Sequence, residues 1–211
     1  MTDAILIGGG GHAKSVADAV KRGGQYNIVG IVTKEEENLN GYPWLGNDDR
    51  LGAIFDSGIK TAIFAIGYLG KGNIREKVFN SLINIGFDVP AIIDPSAVLA
   101  EGTVLGKGTF VGKGAIINAG SVVNEVSIIN TGAVIDHECN IGAYTHIAVG
   151  AKLCGAVKIG ARSMVGAGAT VIQCKNIGND VLIGAGAVVI SDIKDKMVAV
   201  GVPAVAIKEN V

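Results

Sequence analysis

Two of the three histidines of this chain lie nine residues apart, in the segment DHECNIGAYTH at 136–146. Carboxylic acids, Asp136 and Glu138, stand on either side of His137. A neutral imidazole can take a proton from an amine or a hydroxyl near neutral pH, and an adjacent carboxylate can fix its tautomer and stabilise the imidazolium that forms. The spacing predicts a general base at His137 assisted by Glu138 or Asp136, and solvated surface residues remain the alternative.

The second segment that could bind a ligand is GGGGHA at 8–13. It follows a predicted strand and opens a predicted helix, where backbone N–H groups and the helix dipole can hold a phosphate. The segment also satisfies the GxGxxA dinucleotide fingerprint. A domain that binds NAD would place an acid at the end of the second strand, whereas this chain has Thr33 there. The sequence favours a phosphate-binding loop over an NAD site, and a simple strand-to-helix turn stays open.

Strand-like and helix-like patterns alternate through the first ninety residues. Apolar runs predict strands over 4–7, 27–32 and 61–66, and helical patterns cover about 13–22, 48–55 and 73–85. Strands separated by helices form parallel sheets. We therefore predict a small Rossmann-like α/β domain over residues 1–90.

From residue 93 the chain follows a period of six. Seventeen consecutive sixth positions are aliphatic: Ile93, Leu99, Leu105, Val111, Ile117, Val123, Ile129, Ile135, Ile141, Ile147, Leu153, Ile159, Val165, Val171, Ile177, Ile183 and Val189. Gly, Asn or Asp follows the aliphatic residue in twelve of these hexads, and small residues dominate two positions before it. A period of six fits a coil with three flat sides of six residues. We expect the aliphatic residues to stack inside it, and Gly, Asn or Asp to adopt left-handed angles at its corners.

The hexad register also gives a direction to the two histidines. His137 lies two positions after an inward aliphatic residue, and His146 lies one position before the next. Both side chains are therefore predicted to point outward from the coil, so neither is expected to be a core histidine.

Composition excludes several classes of partner. Lys and Arg (18) balance Asp and Glu (19), and no basic run could neutralise a row of phosphates, so nucleic-acid binding is not expected. No uncharged run reaches membrane-spanning length, and the first residues lack the apolar stretch of a signal peptide, so we expect a cytoplasmic protein. Cys139, Cys154 and Cys174 form no CxxC pair, so we expect small wall residues and neither a metal site nor a disulfide framework.

The repeat [LIV]-[GAND]-x-x-[STAVC]-x over residues 93–194 resembles that of the hexapeptide-repeat acyltransferases, which fold as left-handed parallel β-helices and usually trimerise. The segment INTGAVIDHECNIGAYTHIAVGAKLCGAVKIG at 129–160, with the glycine-rich start, resembles the sialic acid O-acetyltransferase group. That group includes UDP-4-amino-sugar and perosamine N-acetyltransferases. The resemblance implies a left-handed β-helix domain over residues 91–211, acetyl-CoA as co-substrate, a nucleotide-linked amino sugar as acceptor, and a homotrimer.

The resemblance also assigns site residues. It implies that His137 is the general base and Glu138 the acid beside it. The positions for acetyl-CoA, most of them acting through backbone groups, are His146, Gly155, Ala167 and Ala185. The positions for the nucleotide sugar, in the glycine loop and in the loop after the third strand, are Gly10, Gly11, His12, Gly67 and Tyr68. Members that bind UDP-sugars carry an Asp pair where this chain has Thr33 and Lys34, which leaves the base open.

Three other functions remain as alternatives. O-acetylation of a sialic-acid-like sugar would use the same chemistry on a hydroxyl. A zinc-dependent lyase of the β-helix type would need three histidines, whereas the repeat region contains only His137 and His146. A non-catalytic scaffold or sugar-nucleotide sensor is the third, and the acid beside His137 argues against it.

Overall fold

The computed structural model describes residues 1–36, 41–70 and 72–210. The first part is an α/β domain whose strands β1, β2 and β3 form a parallel sheet of order β2-β1-β3. Its elements are β1 (Thr2–Ile7), α1 (Gly11–Gly23), β2 (Tyr26–Val32), a 3₁₀ turn (Asp48–Arg50), α2 (Leu51–Asp56), β3 (Thr61–Phe64) and α3 (Ile74–Ile85). The predicted strand at 61–66 ends two residues early, and the residues after it begin a loop.

The central strand β1 is buried on both faces, which explains its continuous apolar run. Ala4 and Leu6 pack in one hydrophobic cluster with α1, while Ile5 and Ile7 pack in a second cluster with α2 and α3. Helices on both sides of a parallel sheet require strands that are apolar throughout. The prediction of a small Rossmann-like domain is confirmed.

The second part is a solenoid of two-residue strands. Their bounds are Ile92–Ile93, Val98–Leu99, Val104–Leu105, Phe110–Val111, Ile116–Ile117, Val122–Val123, Ile128–Ile129, Val134–Ile135, Asn140–Ile141, His146–Ile147, Lys152–Leu153, Lys158–Ile159, Met164–Val165, Thr170–Val171, Asn176–Ile177, Leu182–Ile183 and Val188–Val189. Two longer strands, Met197–Val200 and Val205–Glu209, follow as an antiparallel pair.

Each short strand from Ile92–Ile93 to Thr170–Val171 pairs in parallel with the strand eighteen residues later, as Ile92 does with Phe110. The result is three parallel sheets, which are the three faces of a left-handed β-helix of about six turns. The predicted fold class is confirmed. The aliphatic residue of every hexad is the second residue of its strand, which explains why the series has no slip.

The prediction that all seventeen aliphatic residues are enclosed is wrong at the first coil. The fourteen from Val111 to Val189 are buried, but Leu99 and Leu105 are only partly buried and Ile93 is 42% exposed. Ile93 lies at the open end of the stack, where the part of the chain that the structure describes places no coil beneath it.

The prediction that the three cysteines are small wall residues is wrong for one of them. Cys139 is buried in the core, whereas Cys174 is exposed at a corner and is no wall residue.

The predicted position of the left-handed corner residues is also wrong. Positive φ angles occur at the third residue after each aliphatic position, at every sixth residue from Gly102 to Gly186. Glycine directly after the aliphatic residue has another cause, because a Cβ at Gly106 or Gly142 would lie 2.3 or 2.5 Å from backbone of the next coil. At Asn130 and Asp136 the side chain in that position accepts a hydrogen bond from the next backbone N–H.

The left-handed residues define three edges of the prism. We call them the glycine edge (Gly114, Gly132, Gly150, Gly168, Gly186), the histidine edge (Gly102, Gly120, Glu138, Ala156, Cys174) and the domain edge (Gly108, Val126, Tyr144, Arg162, Asp180). Non-glycine residues at positive φ are strained by roughly 1 kcal/mol or more each. The domain edge carries four of them, so its backbone geometry is held by its surroundings.

The α/β domain is fastened to the domain edge. Buried Arg75, at the start of α3, donates hydrogen bonds to the backbone oxygens of Val126 and Tyr144 and lies over the rings of Phe64 and Tyr68. Burial lowers the pKa of Arg75 to about 10, so the guanidinium stays charged at neutral pH. These contacts fix the glycine loop relative to the coils.

A second tie joins α1 to the first coil. Arg22 donates two hydrogen bonds, of 2.7 and 2.8 Å, to the buried carboxylate of Asp94. Both bonds come from Nη1 of Arg22, which lies between the two carboxylate oxygens, and charge-assisted hydrogen bonds of this length are strong. The α/β domain is therefore held at two separate points, and the space between them has a defined shape.

Candidate active site

A cavity of about 730 Å³ lies between the α/β domain and the solenoid. Its walls are the glycine loop at 8–12, the loop at 65–69 after β3, and the outward side chains of Asn130, Thr131 and His146. All the residues predicted to bind the nucleotide sugar line it, namely Gly10, Gly11, His12, Gly67 and Tyr68. The volume falls within the range of small-molecule sites.

The glycines of the loop at 8–12 differ in whether a side chain would fit at their positions. Gly8 has a φ of +115°, and a Cβ there would lie 2.9 Å from the backbone oxygen of Ala65, so glycine is needed where the turn from β1 to α1 passes the end of β3. A Cβ at Gly10 or Gly11 would meet nothing within 4 Å. Gly10 caps α1, whose first turn contains no acid. The positive end of the helix therefore opens into the cavity with its backbone exposed.

His12 is a half-buried and neutral residue of the cavity wall. Its ring packs edge-on against Phe110 with the ring centroids 5.2 Å apart. Burial, followed by the charge of Arg75 and the proximity of His146, lowers the pKa of His12 to about 3. Gly67 passes close to it, because a Cβ at Gly67 would lie 3.3 Å from the Cβ of His12. His12 can therefore offer a hydrogen bond to a ligand without charge.

His146 points outward from the coil as predicted, but the α/β domain covers it. Its Nδ1 lies 2.8 Å from the backbone oxygen of Tyr68, which can only accept, so Nδ1 carries the proton. Its Nε2 lies 3.1 Å from Nδ2 of Asn130, whose Oδ1 in turn accepts from the N–H of Thr131. Burial lowers the pKa of His146. Both ring nitrogens are thus engaged in a neutral imidazole that ties the 65–69 loop to the solenoid.

His137 and Glu138 form an exposed pair on the histidine edge. Nδ1 of His137 lies 3.1 Å from Oε2 of Glu138. Asp136 is engaged elsewhere, since its Oδ1 accepts from the N–H of His137 and from Asn118, and these bonds lower the pKa of the Asp136 carboxyl. Glu138 is therefore the partner of the imidazole, and a proton held on Nδ1 leaves Nε2 free to accept another.

Gly155 lies directly beneath the His137 ring, one coil further along. A Cβ at Gly155 would lie 2.6 Å from both Nε2 and Cε1 of His137. The position two residues after the aliphatic is glycine in only this one of the seventeen hexads of the sequence. Within the described residues, the N–H of Gly155 donates to no backbone or side-chain group. Sequence reasoning missed this contact, although a lone glycine eighteen residues after the candidate base was its signal.

Ala167 and Ala185 lie on the glycine edge, stacked eighteen residues apart. The same column begins at Thr131 and Val149, which line the cavity. Both alanines are exposed, and in the described parts of the chain their N–H groups donate to no other residue. A Cβ on Gly150 or on any other glycine of this edge would meet nothing within 4 Å. A strip of open backbone therefore runs from the cavity along the solenoid.

One chain does not bring all the predicted residues together. The cavity borders the glycine edge, whereas His137 and Gly155 stand on the histidine edge. A whole face of six residues separates the two edges, which corresponds to at most about 20 Å of extended backbone. The side of the cavity contains His146, Ala167 and Ala185. The side of His137 contains Gly155.

Two further findings concern only the described residues. They contain no group of three or more His, Cys, Asp or Glu side chains that could hold a metal ion. They also contain no helix long and apolar enough to cross a membrane.

The fold and sequence match characterised proteins. Residues 3–82 match the family model described as the PglD N-terminal domain. GDP-perosamine N-acetyltransferase from Caulobacter crescentus, solved as a histidine-to-alanine mutant with CoA and GDP-perosamine, is 36% identical, with a TM-score of 0.94, over 99% of this chain and 98% of that chain. The acetyltransferase domain of PglB from Neisseria gonorrhoeae FA1090 is 33% identical, with a TM-score of 0.89, over 98% of this chain and 100% of that chain.

A more distant match, WeeI from Acinetobacter baumannii AYE, is 22% identical with a TM-score of 0.78 over 98% of this chain and 100% of that chain, and supports the fold alone. The fold and the outward histidine pair define a hexapeptide-repeat acyltransferase. The chain belongs to the hexapeptide-repeat sugar acetyltransferases, as its sequence pattern predicts.

Proposed function

We propose that this enzyme transfers the acetyl group of acetyl-CoA to the amine of a nucleotide-linked amino sugar. The observation that carries the proposal is the cavity between the two domains, where the open end of α1 faces the start of the exposed glycine edge. The similarity to an enzyme solved with both CoA and GDP-perosamine extends over 99% of this chain, so it includes both walls of that cavity.

The α/β wall suits the nucleotide diphosphate of the acceptor. Exposed backbone at Gly10 and Gly11, at the N-terminus of α1, offers N–H donors and a favourable dipole to phosphate oxygens. Neutral His12 adds a polar side chain without competing charge. The sugar would then extend toward Asn130 and Thr131 on the solenoid wall.

The glycine edge suits the pantetheine arm of acetyl-CoA. Ala167 and Ala185 present free N–H groups in a row, and each has a glycine on both sides of it along the chain. An extended amide chain can hydrogen-bond to such a row as a strand does. Because the row starts beside Val149, the acetyl end would arrive at the mouth of the cavity.

His137 supplies the base for a direct transfer. Its Nε2 takes a proton from the acceptor nitrogen as that nitrogen attacks the thioester carbon, and Glu138 stabilises the imidazolium. The free N–H of Gly155 points to a role in stabilising the oxyanion. When the tetrahedral intermediate collapses, the C–S bond breaks and the CoA thiolate takes the proton back from His137.

We infer that the site is completed between copies of the chain in a homotrimer. His137 lies on an edge different from that of the cavity, so the histidine edge of one copy would face the glycine edge of the next. Apolar side chains stand exposed on the two faces that the α/β domain leaves open, with Val98 61% and Val104 55% exposed.

A cytoplasmic location is part of the proposal. All three cysteines, including exposed Cys174, are free thiols, which suits a reducing compartment.

The test is a panel of acceptors. Purified protein is given acetyl-CoA with GDP-, UDP- or dTDP-linked 4-amino sugars, or with free sialic acids, while thiol release is followed and the product is weighed by mass spectrometry. We expect one nucleotide-linked amino sugar to gain a single acetyl group. Acetylation of sialic acids alone would replace our acceptor with the O-acetyl alternative, and no product from either group would refute the proposal.

A further inference from the structure

The loop after β3 is fastened to the solenoid by contacts on both sides of Leu69. On the near side, the backbone oxygen of Tyr68 accepts from His146, and the Tyr68 hydroxyl donates to the backbone oxygen of Arg162 at 2.6 Å. On the far side, the backbone oxygen of Gly70 accepts a hydrogen bond of 3.1 Å from Nδ2 of Asn210. Leu69 itself lines the cavity and is 84% exposed. Its position therefore depends on the fastening at each side.

Asn210 bridges the loop and the domain edge. Its Nδ2 also donates to the backbone oxygen of Asp180 at 2.9 Å, and its backbone N–H donates to Lys196. Both neighbours of Nδ2 are carbonyl oxygens, so the amide orientation is fixed and each of its two protons has one acceptor. The domain edge thus uses carbonyl oxygens on successive coils, those of Val126, Tyr144, Arg162 and Asp180, to hold the α/β domain and its loop.

The bridge is maintained although it leaves another group unsatisfied. Oδ1 of Asn210 is buried and finds no hydrogen-bond partner in the described parts of the chain. An unpaired buried acceptor lowers stability. Asparagine at this position is therefore explained by its two donated bonds, which few other side chains of that size could make.

Gly70 can reach Asn210 only because it has no side chain. A Cβ at Gly70 would lie 2.7 Å from Cδ1 of Leu182, and its φ is +84°. The loop therefore lies flat on the covered face of the solenoid at this point. The packing brings the Gly70 oxygen to the amide, and the amide holds it there.

From this geometry we propose that Asn210 is a positioning residue for the acceptor site, which it serves by holding the loop at 67–70 against the domain edge. The inference rests on the proposed function, in which Gly67 and Tyr68 contact the nucleotide sugar. Asn210 touches neither the cavity nor the candidate base. Its loss is therefore expected to alter acceptor binding while the binding of acetyl-CoA and the chemistry at His137 are retained.

The experiment compares wild type with Asn210→Ala and Asn210→Asp. The aspartate has the same shape but places oxygen against two carbonyl oxygens. Asn176→Ala is the matched control, since Asn176 also hydrogen-bonds within the solenoid but far from the loop. Hydrogen–deuterium exchange of peptides spanning 65–70 is measured in the full chain, together with KM for each substrate and kcat.

We expect both Asn210 variants to speed exchange in these peptides and to raise KM for the nucleotide sugar about tenfold, with KM for acetyl-CoA and kcat within twofold of wild type. The control should match wild type in both measurements. Unchanged exchange in the variants would show that Asn210 does not hold the loop. Faster exchange with an unchanged KM for the nucleotide sugar would show that Asn210 does not position the acceptor site. If wild type itself acetylates no nucleotide sugar, the proposed function fails, and the exchange comparison still decides whether Asn210 holds the loop.

Discussion

Replacement of His137 by alanine is expected to lower kcat by about a hundredfold or more, the loss typical of a removed general base. The His137 side chain is 56% exposed at the histidine edge, so the thermal unfolding midpoint should stay close to that of wild type. Thiol release from acetyl-CoA at saturating acceptor gives the rate. Because the mutant still has its cavity and glycine edge, both KM values should change little.

Glu101→Ala is the matched control for this change, since Glu101 occupies the same hexad position on the same edge two coils earlier. It should retain the full rate. Glu138→Gln should give a smaller loss, because the amide can still orient the ring but no longer stabilises the imidazolium by charge. A His137→Ala enzyme with the full rate would show that another group accepts the proton.

The second large effect is expected from Gly155→Ala. The new methyl group would lie 2.6 Å from two atoms of the His137 ring. This is too close for unbonded atoms, so the imidazole would have to move. Displacement of a catalytic group by about 1 Å can reduce the rate by roughly a hundredfold. We expect kcat to fall by about that factor in the thiol-release assay.

Folding should not suffer from this change. Gly155 is not among the residues with positive φ, and Ala143 and Ala161 already occupy the equivalent position in neighbouring hexads. The variant should therefore unfold at the wild-type temperature or slightly above it, since alanine restricts the unfolded chain. A Gly155→Ala enzyme with wild-type kcat would mean that His137 does not work from the ring position described here.

The fold of the solenoid could be predicted because its sequence repeats every six residues. Each aliphatic residue from Val111 to Val189 meets its counterparts eighteen residues away, and a period of six read along the chain is enough to place it inside. The corners were misplaced by two positions. Glycine follows the aliphatic residue for lack of space beside the next coil, as at Gly106, and spacing alone does not separate that cause from a left-handed angle.

The candidate site was predictable only in part. The resemblance gives His137, Glu138 and the glycine loop by position, and the register gives the outward direction of His146. The cover over His146 depends on how the α/β domain docks, through Arg75 and Tyr68, and contacts 69 or more residues apart leave no pattern in the sequence. Spacing alone leaves Asp136 and Glu138 equivalent, because both flank His137, whereas the structure places Glu138 against Nδ1 of the imidazole and Asp136 against the backbone N–H.

The division of the site between two edges is the central claim of this account, and mixed trimers test it most directly. One chain carries His137→Ala, and the other carries Gly10→Leu, whose side chain would project from open backbone at the cavity wall. Each variant alone should be nearly inactive. Co-expressed and purified through two different tags, the mixed trimers should recover about a third of wild-type activity, since one of the three interfaces in every trimer that contains both kinds of chain joins an intact cavity to an intact His137 of the neighbouring copy. A mixture no more active than its separate components would contradict the claim.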